Sequence, residues 1–533
     1  MVEKAKSVSE ETDPVIEQER LADLDAEINE YIAANWENIL RNLESLVKIP
    51  SVEEPDAATP GVPFGPGPKA ALDCVLEMAR EMGFDAHNVD GYIGYADYPG
   101  ETATQVGVIG HVDVVPAGPG WTVEPYALTR RDGYLLGRGT SDDKGPLVVA
   151  MYAAKFLHEK LASQGKRPRY TIRLLFGANE ETNMADVAYY RERFDDPAFL
   201  FTPDAEFPLG YGESGCCVGE LTGPVGGSAK PTDGEGAIVK IWGGAATNAV
   251  PGEAHALLRL PEEKSSAVFG ETVPGLGGVD VGNKACAADR STAANGGTRA
   301  SVNVAPGVFA TLQDDGFVLL DAVGKSAHAS TPDLGKNAIA LLVDYLLAVD
   351  LCAPAEKSFL QLEGDLLNDT SGKSVGIDAR DQHFGDLTAV GGMVSMRDGR
   401  IVQTLDCRYP TTTSAQEIES KLASHAQSVH ADFRITHDKK PFLMNPESDA
   451  VSALISAFNH VTGRDAKPFT MKGGTYARMF DHAVSFGPEV PGEVTPDWVG
   501  GMHSPDEGIG EESLKRAFRV YVHALDALMR VDL

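Results

Sequence analysis

Two short apolar runs in the first half of the chain are each followed by glycine and then by acidic residues. The run from Val106 to Ile109 precedes the string GHVDVVP, and the run from Tyr170 to Phe176 precedes GANEETN. Such runs predict buried parallel strands, and the pattern of Gly145–Leu161 between them predicts a helix. In an open α/β sheet, ligands bind beyond the carboxyl ends of the strands. We therefore expect both groups of acidic residues at one binding edge.

The residue types that follow these runs are those of a divalent-metal hydrolase. A histidine nitrogen and several carboxylate oxygens, set among glycine and other small residues, can hold a metal ion that activates water. A third string, GRGTSDDKGP, lies between the other two, and TPDAEFP follows shortly after them. The candidate residues in chain order are His111, Asp113, Asp142, Asp143, Glu180, Glu181 and Asp204.

Length and charge limit the class of protein. A chain of 533 residues exceeds the size at which single hydrophobic cores stop growing, so two domains are expected. The formal net charge of −32 argues against nucleic acid or an anionic membrane as a partner, because both require clustered Lys and Arg. Most of the acidic residues are expected to favour solubility, since a metal site needs only a few of them.

The amino-terminal segment and the cysteines predict a cytoplasmic protein. The first residues lack the apolar segment of a secretory signal. No apolar run reaches the ~18 residues that a membrane-spanning helix needs. The six cysteines show no C-x-x-C spacing, and a long chain without a signal is expected to keep its thiols reduced.

A change of composition after Tyr211 predicts that one domain is inserted into another. Residues 1–20 are predicted to form a flexible acidic tail. Residues 21–212 and 441–533 are predicted to form a catalytic metal-binding domain. Residues 213–440 are predicted to form an inserted α+β lid domain, because stretches rich in Gly, Ser and Ala alternate there with amphipathic strands and helices.

Periodicity also predicts individual elements. Apolar residues at helical spacing predict a long helix from Leu21 to Val47, whereas the stretch PDAATPGVPFGPGPKA is predicted to be loop. The other predicted helices include Ala70–Met82, Asn337–Val349, Ala415–Gln427 and Glu512–Val531. The other predicted strands include Ile93–Tyr98, Ala237–Trp242, Ala254–Leu260, Phe317–Val323 and Ile401–Arg408.

Motifs along most of the chain resemble one family. They occur in the order found in di-zinc metallopeptidases of the aminoacylase and carboxypeptidase-G type: GHVDVVP, GRGTSDDKGP, the Glu-Glu pair, TPDAEFP, GKSAHASTPDLGKNA, RYP and GMHSPDE. TPDAEFP, GGTYAR and the long insert are most similar to the peptidase V-type dipeptidases. The resemblance implies an α/β fold, in which a zinc-peptidase-like catalytic domain with a mixed, mainly parallel sheet is interrupted by the inserted α+β lid domain.

The resemblance also implies a ligand set for two divalent metal ions. His111 and Asp204 would hold one ion, Glu181 and His503 the other, and Asp142 would bridge both. The chemistry agrees, because two cations about 3.5–4 Å apart need a shared anionic bridge. Nitrogen and carboxylate ligands suit Zn, with Mn or Co as substitutes. The family further implies a cis peptide bond after Asp142.

Catalytic and substrate-binding roles follow from the same resemblance. Asp113 would orient the imidazole of a metal ligand, and Glu180 would act as the general base towards water. His328, in GKSAHASTP directly after a predicted strand, would stabilise the oxyanion of the tetrahedral intermediate. The substrate carboxylate would be bound by Asn248 and by Arg408, whose planar guanidinium suits a carboxylate. The loop Gly473, Gly474 and Thr475 would line that pocket.

The leading hypothesis is a metal-dependent dipeptidase that hydrolyses dipeptides or very short peptides. One alternative keeps the fold and the metals but hydrolyses N-acyl amino acids or related amides, and the sequence does not show which residue would bind a free α-amino group. Another alternative is a non-catalytic relative that uses the cleft for binding, although no metal ligand and neither glutamate of the pair is missing. A monomer is favoured, because the long insert would replace a partner subunit.

Overall fold

The computed structural model divides the chain into two compact units. The structure describes residues 14–225, 237–260, 301–313 and 317–533, together with Val268. Unit 1 comprises Met1–Gly212, Leu443–Phe469 and Gly474–Leu533. Unit 2 comprises Glu213–Phe442 and Thr470–Gly473. Unit 1 is therefore assembled from segments that are distant in the sequence.

The helices of the described residues follow the apolar periodicity of the sequence. They are α1 (Pro14–Val47), α2 (Pro66–Glu81), α3 (Lys144–Ser163), α4 (Ala185–Arg191), α5 (Ala338–Ala348), α6 (Pro354–Asn368), α7 (Ala415–Ser428), α8 (Asp449–Thr462) and α9 (Glu511–Leu528). Side-chain oxygens of Asn337, Ser414 and Ser448 accept main-chain N–H groups at the starts of α5, α7 and α8. None of the helices in these ranges is both long enough and apolar enough to cross a lipid bilayer.

The strands are numbered in chain order. Up to Glu213 they are β1 (Asp85–Val89), β2 (Ile93–Tyr98), β3 (Gln105–His111), β4 (Thr129–Arg131), β5 (Tyr134–Leu136), β6 (Thr171–Gly177), β7 (Phe199–Thr202), β8 (Ala205–Glu206) and β9 (Gly210–Glu213). From Gly215 they are β10 (Gly215–Val225), β11 (Ala237–Gly243), β12 (Ala249–Val250), β13 (Glu253–Arg259), β14 (Val302–Ala305), β15 (Val308–Leu312), β16 (Phe317–Val323), β17 (Ala327–His328), β18 (Arg380–Asp381), β19 (Gly385–Asp386), β20 (Thr388–Arg397), β21 (Arg400–Tyr409) and β22 (Asp432–Lys439). The last are β23 (Phe442–Leu443), β24 (Phe469–Met471), β25 (Ala483–Ser485), β26 (Pro488–Glu489) and β27 (Gly508–Gly510).

A mixed sheet forms the centre of unit 1. Its strands lie in the order β1-β2-β6-β3-β7-β25-β9. The central strands β6, β3, β7 and β25 are parallel to one another, whereas β1, β2 and β9 run antiparallel to their neighbours. Helix α3 packs against β3, and α9 packs against α3 and α8. The mixed α/β fold expected from the sequence is confirmed, and the pairing of His111 with Gly177 places the carboxyl ends of β3 and β6 side by side.

Unit 2 has its own sheet and its own hydrophobic core. The sheet order is β14-β15-β16-β13-β11-β20-β21-β10-β22, and the neighbouring strands are antiparallel. Helix α5 packs against β13 and β16, α6 against β10 and β20, and α7 against β10 and β22. A two-stranded pair of β12 and β17 carries His328. This unit therefore combines an antiparallel sheet with helices.

The predicted strands and most predicted helices are confirmed to within a few residues, but two helices begin earlier than expected. Helix α2 begins at Pro66, inside the stretch predicted as loop, because proline is favoured in the first helical turn. Helix α1 begins at Pro14, inside the predicted tail, where Arg20 donates to the carboxylate of Asp526 at 2.7 Å. Residues 1–13 lie outside the described residues.

The structure contains no disulfide bond among the cysteines that it describes, which are Cys74, Cys216, Cys217, Cys352 and Cys407. Cys286 lies outside the described residues. Cys217 and Cys407 lie opposite each other on the paired strands β10 and β21 and are both buried. A hydrogen bond with Cys217 and burial hold the pKa of the Cys407 thiol well above its usual range, which disfavours the thiolate.

Candidate active site

His111 lies at the carboxyl end of β3, and its imidazole is fully buried. The Nδ1 atom is 2.9 Å from the main-chain oxygen of Asp113. A carbonyl can only accept, so Nδ1 carries a ring proton and Nε2 is the nitrogen that faces the carboxylates. Nε2 lies 2.9 Å from Oδ1 of Asp142 and 3.7 Å from Oδ2 of Asp204. The ring is therefore set up to bind a metal ion through Nε2.

Asp142 lies between two histidines. Its Oδ1 faces His111, and its Oδ2 is 2.9 Å from Nε2 of His503. The same nitrogen of His503 is 3.0 Å from Oε2 of Glu181. The peptide bond between Asp142 and Asp143 is cis, as the resemblance implied. One carboxylate thus faces two different imidazoles, which is the arrangement that a bridging metal ligand requires.

Strand β3 needs glycine next to its carboxyl-terminal residue. The main-chain N–H of His111 donates to Oδ2 of Asp143 at 3.1 Å. A Cβ atom at Gly110 would overlap that carboxylate oxygen, so a larger residue there would displace it. The glycine of GHVDVVP therefore allows the close approach of Asp143 to β3.

Glu180 and Glu181 follow β6 directly, and their main-chain N–H groups donate to the two carboxylate oxygens of Asp113 at 3.2 and 3.1 Å. Asp113 therefore has two contacts: its side chain holds this turn, and its main-chain carbonyl holds the ring of His111. Single ligand atoms of His111, Asp142 and Glu181 lie within 4.8 Å of one another. Those of His111, Glu180 and Asp204 form a second such group.

The electrostatics of the cluster are those of buried carboxylates that attract positive charge. Burial, together with repulsion from neighbouring carboxylates, raises the pKa values of Glu180, Glu181 and Asp204. Burial opposes ionisation of Asp142 as well, but hydrogen bonds from His111 and His503 hold its pKa well below the usual range. Hydrogen bonds to Asp142 and Glu181 raise the pKa of His503 to about 11. The carboxylates thus favour the protonated, positively charged form of the His503 imidazole. A bound metal cation could neutralise the same carboxylates in its place.

This donor set fits two divalent cations. Imidazole nitrogen and carboxylate oxygen are ligands that suit Zn, Co and Mn. The two oxygens of Asp142 point to separate histidines, so two ions could share that carboxylate. The five predicted ligands all come together in unit 1, and they are His111, Asp142, Glu181, Asp204 and His503.

The sequence motifs did not assign a role to Glu507, the last residue of GMHSPDE. Its buried Oε1 accepts main-chain N–H groups of Gly139, Ser141 and Asp142 at 2.9, 3.1 and 3.2 Å. Its Oε2 accepts from the buried guanidinium of Arg138. Burial and the nearby charge of Asp142 raise the pKa of Glu507 to about 7. Glu507 therefore holds the loop that presents Asp142.

A second buried carboxylate, Asp186, supports the turn after β6. Its Oδ2 accepts main-chain N–H groups of Ala178 and Asn179 at 2.7 and 3.0 Å, and also the hydroxyl of Tyr476. The Tyr476 ring lies edge-on to His111, with 6.3 Å between ring centroids. Tyr476 stands in the string GGTYAR but had no predicted role, and no local signal distinguished Asp186.

In unit 2, the predicted substrate-binding residue Asn248 lies next to His328, the predicted oxyanion stabiliser. The main-chain oxygen of Asn248 accepts from Ala329 N–H at 2.9 Å, next to the pairing of Ala249 with His328. The Nδ1 atom of His328 accepts from the main-chain N–H of Ser330 at 3.1 Å. In a neutral ring with this acceptor at Nδ1, the proton lies on Nε2. His328 can therefore donate a hydrogen bond through Nε2.

Arg408 is held by a partner that the sequence analysis missed. Its Nε and Nη2 donate to the two oxygens of Asp406 at 2.7 and 2.9 Å, and Nη1 donates to the Lys472 main-chain oxygen at 3.2 Å. Asp406 is buried and lies two residues before Arg408 on β21. Residues two apart on a strand share a face, so this spacing was a usable signal.

The predicted loop Gly473–Gly474–Thr475 is divided between the two units. Gly473 belongs to unit 2, whereas Gly474 and Thr475 belong to unit 1. Thr475 is buried, and its hydroxyl accepts from the main-chain N–H of Ala477 at 3.1 Å. That bond caps the short 3-10 helix Tyr476–Met479. Thr475 therefore has a structural contact, and its predicted role in the pocket stays a prediction.

Comparison with known sequences identifies relatives of nearly the same length. A putative dipeptidase of Bacillus subtilis (strain 168), YtjP, is 31% identical over 499 residues, which cover 93% of this chain and 98% of the relative. A Beta-Ala-Xaa dipeptidase of Lactobacillus delbrueckii subsp. lactis is 29% identical over 514 residues, with 95% and 99% coverage. This chain and both relatives therefore match along nearly their whole lengths.

Solved structures show the same fold at low sequence identity. Human carnosine dipeptidase 1 matches with a TM-score of 0.55 and 14% identity, covering 95% of this chain and 99% of that one. The aminoacylhistidine dipeptidase of Vibrio alginolyticus matches with a TM-score of 0.54 and 14% identity, covering 92% and 96%. A family model described as Peptidase family M20/M25/M40 matches residues 107–527. The chain therefore belongs to peptidase family M20/M25/M40.

Proposed function

We propose that this chain is a metal-dependent dipeptidase that hydrolyses the peptide bond of dipeptides or very short peptides. The observation that carries the proposal is the carboxylate of Asp142 between Nε2 of His111 and Nε2 of His503. This arrangement is suited to a pair of cations that share one ligand. The names of the relatives, a putative dipeptidase and a Beta-Ala-Xaa dipeptidase, support the substrate class.

Two divalent cations at this centre, zinc or alternatively manganese or cobalt, would polarise the scissile carbonyl and lower the pKa of a water molecule. Glu180 is the proposed general base. Burial raises the pKa of its carboxyl group well above the usual range, so the group can take up a proton from water and pass it to the leaving amine. Asp113 positions both this glutamate and His111 through the contacts described above.

We assign substrate binding to residues of unit 2. His328 would donate from Nε2 to the developing oxyanion, which the acceptor role of its Nδ1 supports. Arg408 and Asn248 would bind the substrate carboxylate, and the loop Gly473–Gly474–Thr475 would line the pocket. The bidentate contact of Arg408 with Asp406 restricts the guanidinium to one orientation. In this proposal residues 213–440 act as the lid of a catalytic domain formed by 21–212 and 441–533.

The variant Glu180→Gln tests the proposed base. We expect kcat to fall about 10²–10⁴-fold while the metal content stays unchanged, because the amide cannot accept the proton. The matched control is Glu53→Gln, whose carboxylate accepts from Asn179 Nδ2 at 3.1 Å beside the same turn but has no assigned role. Near-normal turnover in Glu180→Gln would refute the assignment. Loss of a metal ion together with activity would identify Glu180 as a ligand.

A substrate panel tests the reaction itself. Purified protein would be treated with a chelator, reloaded separately with Zn, Mn or Co, and assayed with dipeptides and with N-acetyl and N-succinyl amino acids. We expect hydrolysis of the dipeptides. A clear preference for the N-acyl compounds would instead identify a deacylase of the same fold. If the metal-loaded protein hydrolysed neither class, a binding function would replace the enzymatic one.

A further inference from the structure

Three helices of unit 1 bring together a carboxylate and two imidazoles that are not part of the site described above. Asp25 lies on α1, His460 on α8 and His523 on α9. His523 is buried, whereas the side chains of Asp25 and His460 are 40% and 31% exposed. None of the three belongs to a motif that the sequence analysis singled out. The cluster is therefore a product of helix packing alone.

The geometry of the cluster is that of a potential metal site. Nε2 of His523 is 2.8 Å from Oδ1 of Asp25, and Nε2 of His460 is 2.9 Å from Oδ2 of the same carboxylate. One ligand atom from each residue lies within 4.8 Å of the other two, and the imidazole ring centroids are 4.7 Å apart. Both rings thus turn Nε2 towards the same carboxylate, one towards each of its oxygens.

We propose that Asp25, His460 and His523 form a further divalent-cation site, suited to zinc, which links α1 to α8 and α9. Two imidazole nitrogens and one carboxylate oxygen are a common ligand set for this ion, with water as the fourth ligand. Bonds of about 2.0–2.1 Å in a tetrahedron place neighbouring ligand atoms about 3.3 Å apart. The observed contacts of 2.8 Å to Oδ1 and 2.9 Å to Oδ2 are shorter than this, so the side chains must separate to admit an ion, and the partly exposed Asp25 and His460 can move.

The charges around the cluster favour a cation. Among the described residues, no lysine or arginine forms an ion pair with Asp25, which contacts only the two imidazoles. Asp526, one turn after His523 on α9, already binds Arg20 at 2.7 Å and Arg530 at 3.2 Å. Burial lowers the pKa of His523 and so disfavours the charged ring, and the neutral ring is the form that binds metal. The exposed faces of Asp25 and His460 give an ion access from solvent.

Metal counting on the full chain tests the proposal. Wild type and His460→Ala would be stripped with a chelator, reloaded with zinc, passed through gel filtration and analysed by inductively coupled plasma mass spectrometry. We expect wild type to retain one more equivalent of zinc than His460→Ala. This difference does not depend on how many ions the catalytic centre holds, so the proposed dipeptidase function can fail without affecting it. We also expect His460→Ala to keep the wild-type rate with saturating metal.

Two further variants make the test specific. Asp25→Asn keeps the size of the side chain but removes its charge, and it should lose the same equivalent of zinc. His87→Ala removes an exposed histidine elsewhere in unit 1, which pairs with Asp85 at 3.0 Å, and it should retain the wild-type zinc content. An anomalous difference peak beside Asp25 in zinc-soaked crystals would locate the ion. Equal zinc content in wild type, His460→Ala and Asp25→Asn, with no such peak, would show that the cluster is only a hydrogen-bonded contact between helices.

Discussion

The carboxylate of Glu507 is enclosed by the loop that presents Asp142. It accepts three main-chain N–H groups of that loop and pairs with Arg138, and all of these contacts are buried. Such contacts hold a ligand in the orientation that metal binding requires, although they do not touch the metal. The position of the Asp142 carboxylate therefore depends on a residue some 365 positions away in the chain.

Substituting Glu507→Gln tests this dependence. The amide has a single acceptor oxygen, so its NH₂ group must face either Arg138 or the loop N–H groups. We expect metal affinity or activity to fall about 10–100-fold, and the free energy of unfolding to fall by about 1–3 kcal/mol. Metal titration and thermal unfolding would measure both effects.

The control for that substitution is Glu489→Gln. Glu489 contacts the same loop through one hydrogen bond, from Ser141 Oγ at 3.1 Å. A smaller effect is expected, because the amide oxygen can still accept this bond. If Glu507→Gln matched wild type in metal affinity and in unfolding temperature, the positioning role of Glu507 would be wrong.

The site residues that the sequence could identify are those that stand in a short motif typical of metal binding. His111, Asp142, Glu181, Asp204 and His503 each stand in such a string, and the structure places them together. Supporting residues were missed because their partners come from distant segments. For example, the hydrogen bond between Tyr476 and Asp186 joins residues 290 positions apart. Nothing near Asp186 in the sequence indicates that it needs a buried donor.

At the scale of elements, strands that are buried on both faces were the easiest to predict. The apolar runs of β3 and β6 allow few alternatives, because their residues are almost continuously buried. Helix starts were less predictable. The first turn of α1 lies in a polar segment, where the contact of Arg20 with Asp526 on α9 provides a tertiary partner. Local pattern cannot show such a contact.

Helix α6 contains a buried acid without hydrogen-bonding partners. Neither carboxylate oxygen of Glu363 is hydrogen-bonded within the described part of the chain, and the side chain is fully buried. Burial raises the pKa of Glu363 from its usual 4.5 to about 8. Folding therefore favours the protonated form of Glu363. Between pH 4.5 and about pH 8, the unfolded chain binds fewer protons at this group than the folded chain does.

Unit 2 should lose stability as the pH rises because of Glu363. The contribution of this group is fully present below about pH 4.5 and is lost as the pH rises through about 8. We expect Glu363→Leu to raise the free energy of unfolding at pH 8 by about 1–3 kcal/mol, since the buried polar group is removed. It should also flatten the pH dependence in that range. Chemical denaturation at several pH values, followed by a probe in unit 2, would measure both effects.

Glu356, on the same helix, is the matched control. Its carboxylate is also buried, but it accepts main-chain N–H groups of Ala353 at 2.9 Å and Ile238 at 3.4 Å. Glu356→Leu should therefore destabilise the protein by about 1–3 kcal/mol, because it leaves buried donors unpaired. Equal effects of the two substitutions would contradict the account of Glu363.

At the scale of the whole molecule, each unit is built around its own hydrophobic core. The chain leaves unit 1 after Gly212, returns to it at Leu443 and contributes Thr470–Gly473 to unit 2 before it ends in unit 1. Because of this path, His503 reaches the carboxyl edge of the sheet where the other predicted ligands, from residues 111–204, lie. Predicted ligands that are distant in the sequence thus meet in one unit.

Removing metal should destabilise the protein as a whole. Without cations, the buried carboxylates of Asp142, Glu180, Glu181 and Asp204 repel one another, and this repulsion contributes to the raised pKa values of Glu180, Glu181 and Asp204. A cation that binds only the folded state adds about 2.7 kcal/mol at 100 times its dissociation constant. We expect chelation to lower the unfolding temperature and zinc to restore it. If His460→Ala showed the same change of unfolding temperature, the effect would be assigned to the proposed catalytic centre. An unfolding temperature that chelation left unchanged would contradict a metal ion at that centre.

The sequence by itself determined which residue types occur and on which local elements they lie. Apolar runs placed the acidic strings after strands, because a continuous apolar segment is stable only when it is buried. The tertiary structure alone decided which atoms meet. The carbonyl of Asp113 sets the tautomer of His111, Glu507 sets the orientation of Asp142, and helix packing joins Asp25 to two histidines. These contacts are absent from local sequence because hydrogen-bond partners are chosen by distance in space, which the packing of the two cores establishes.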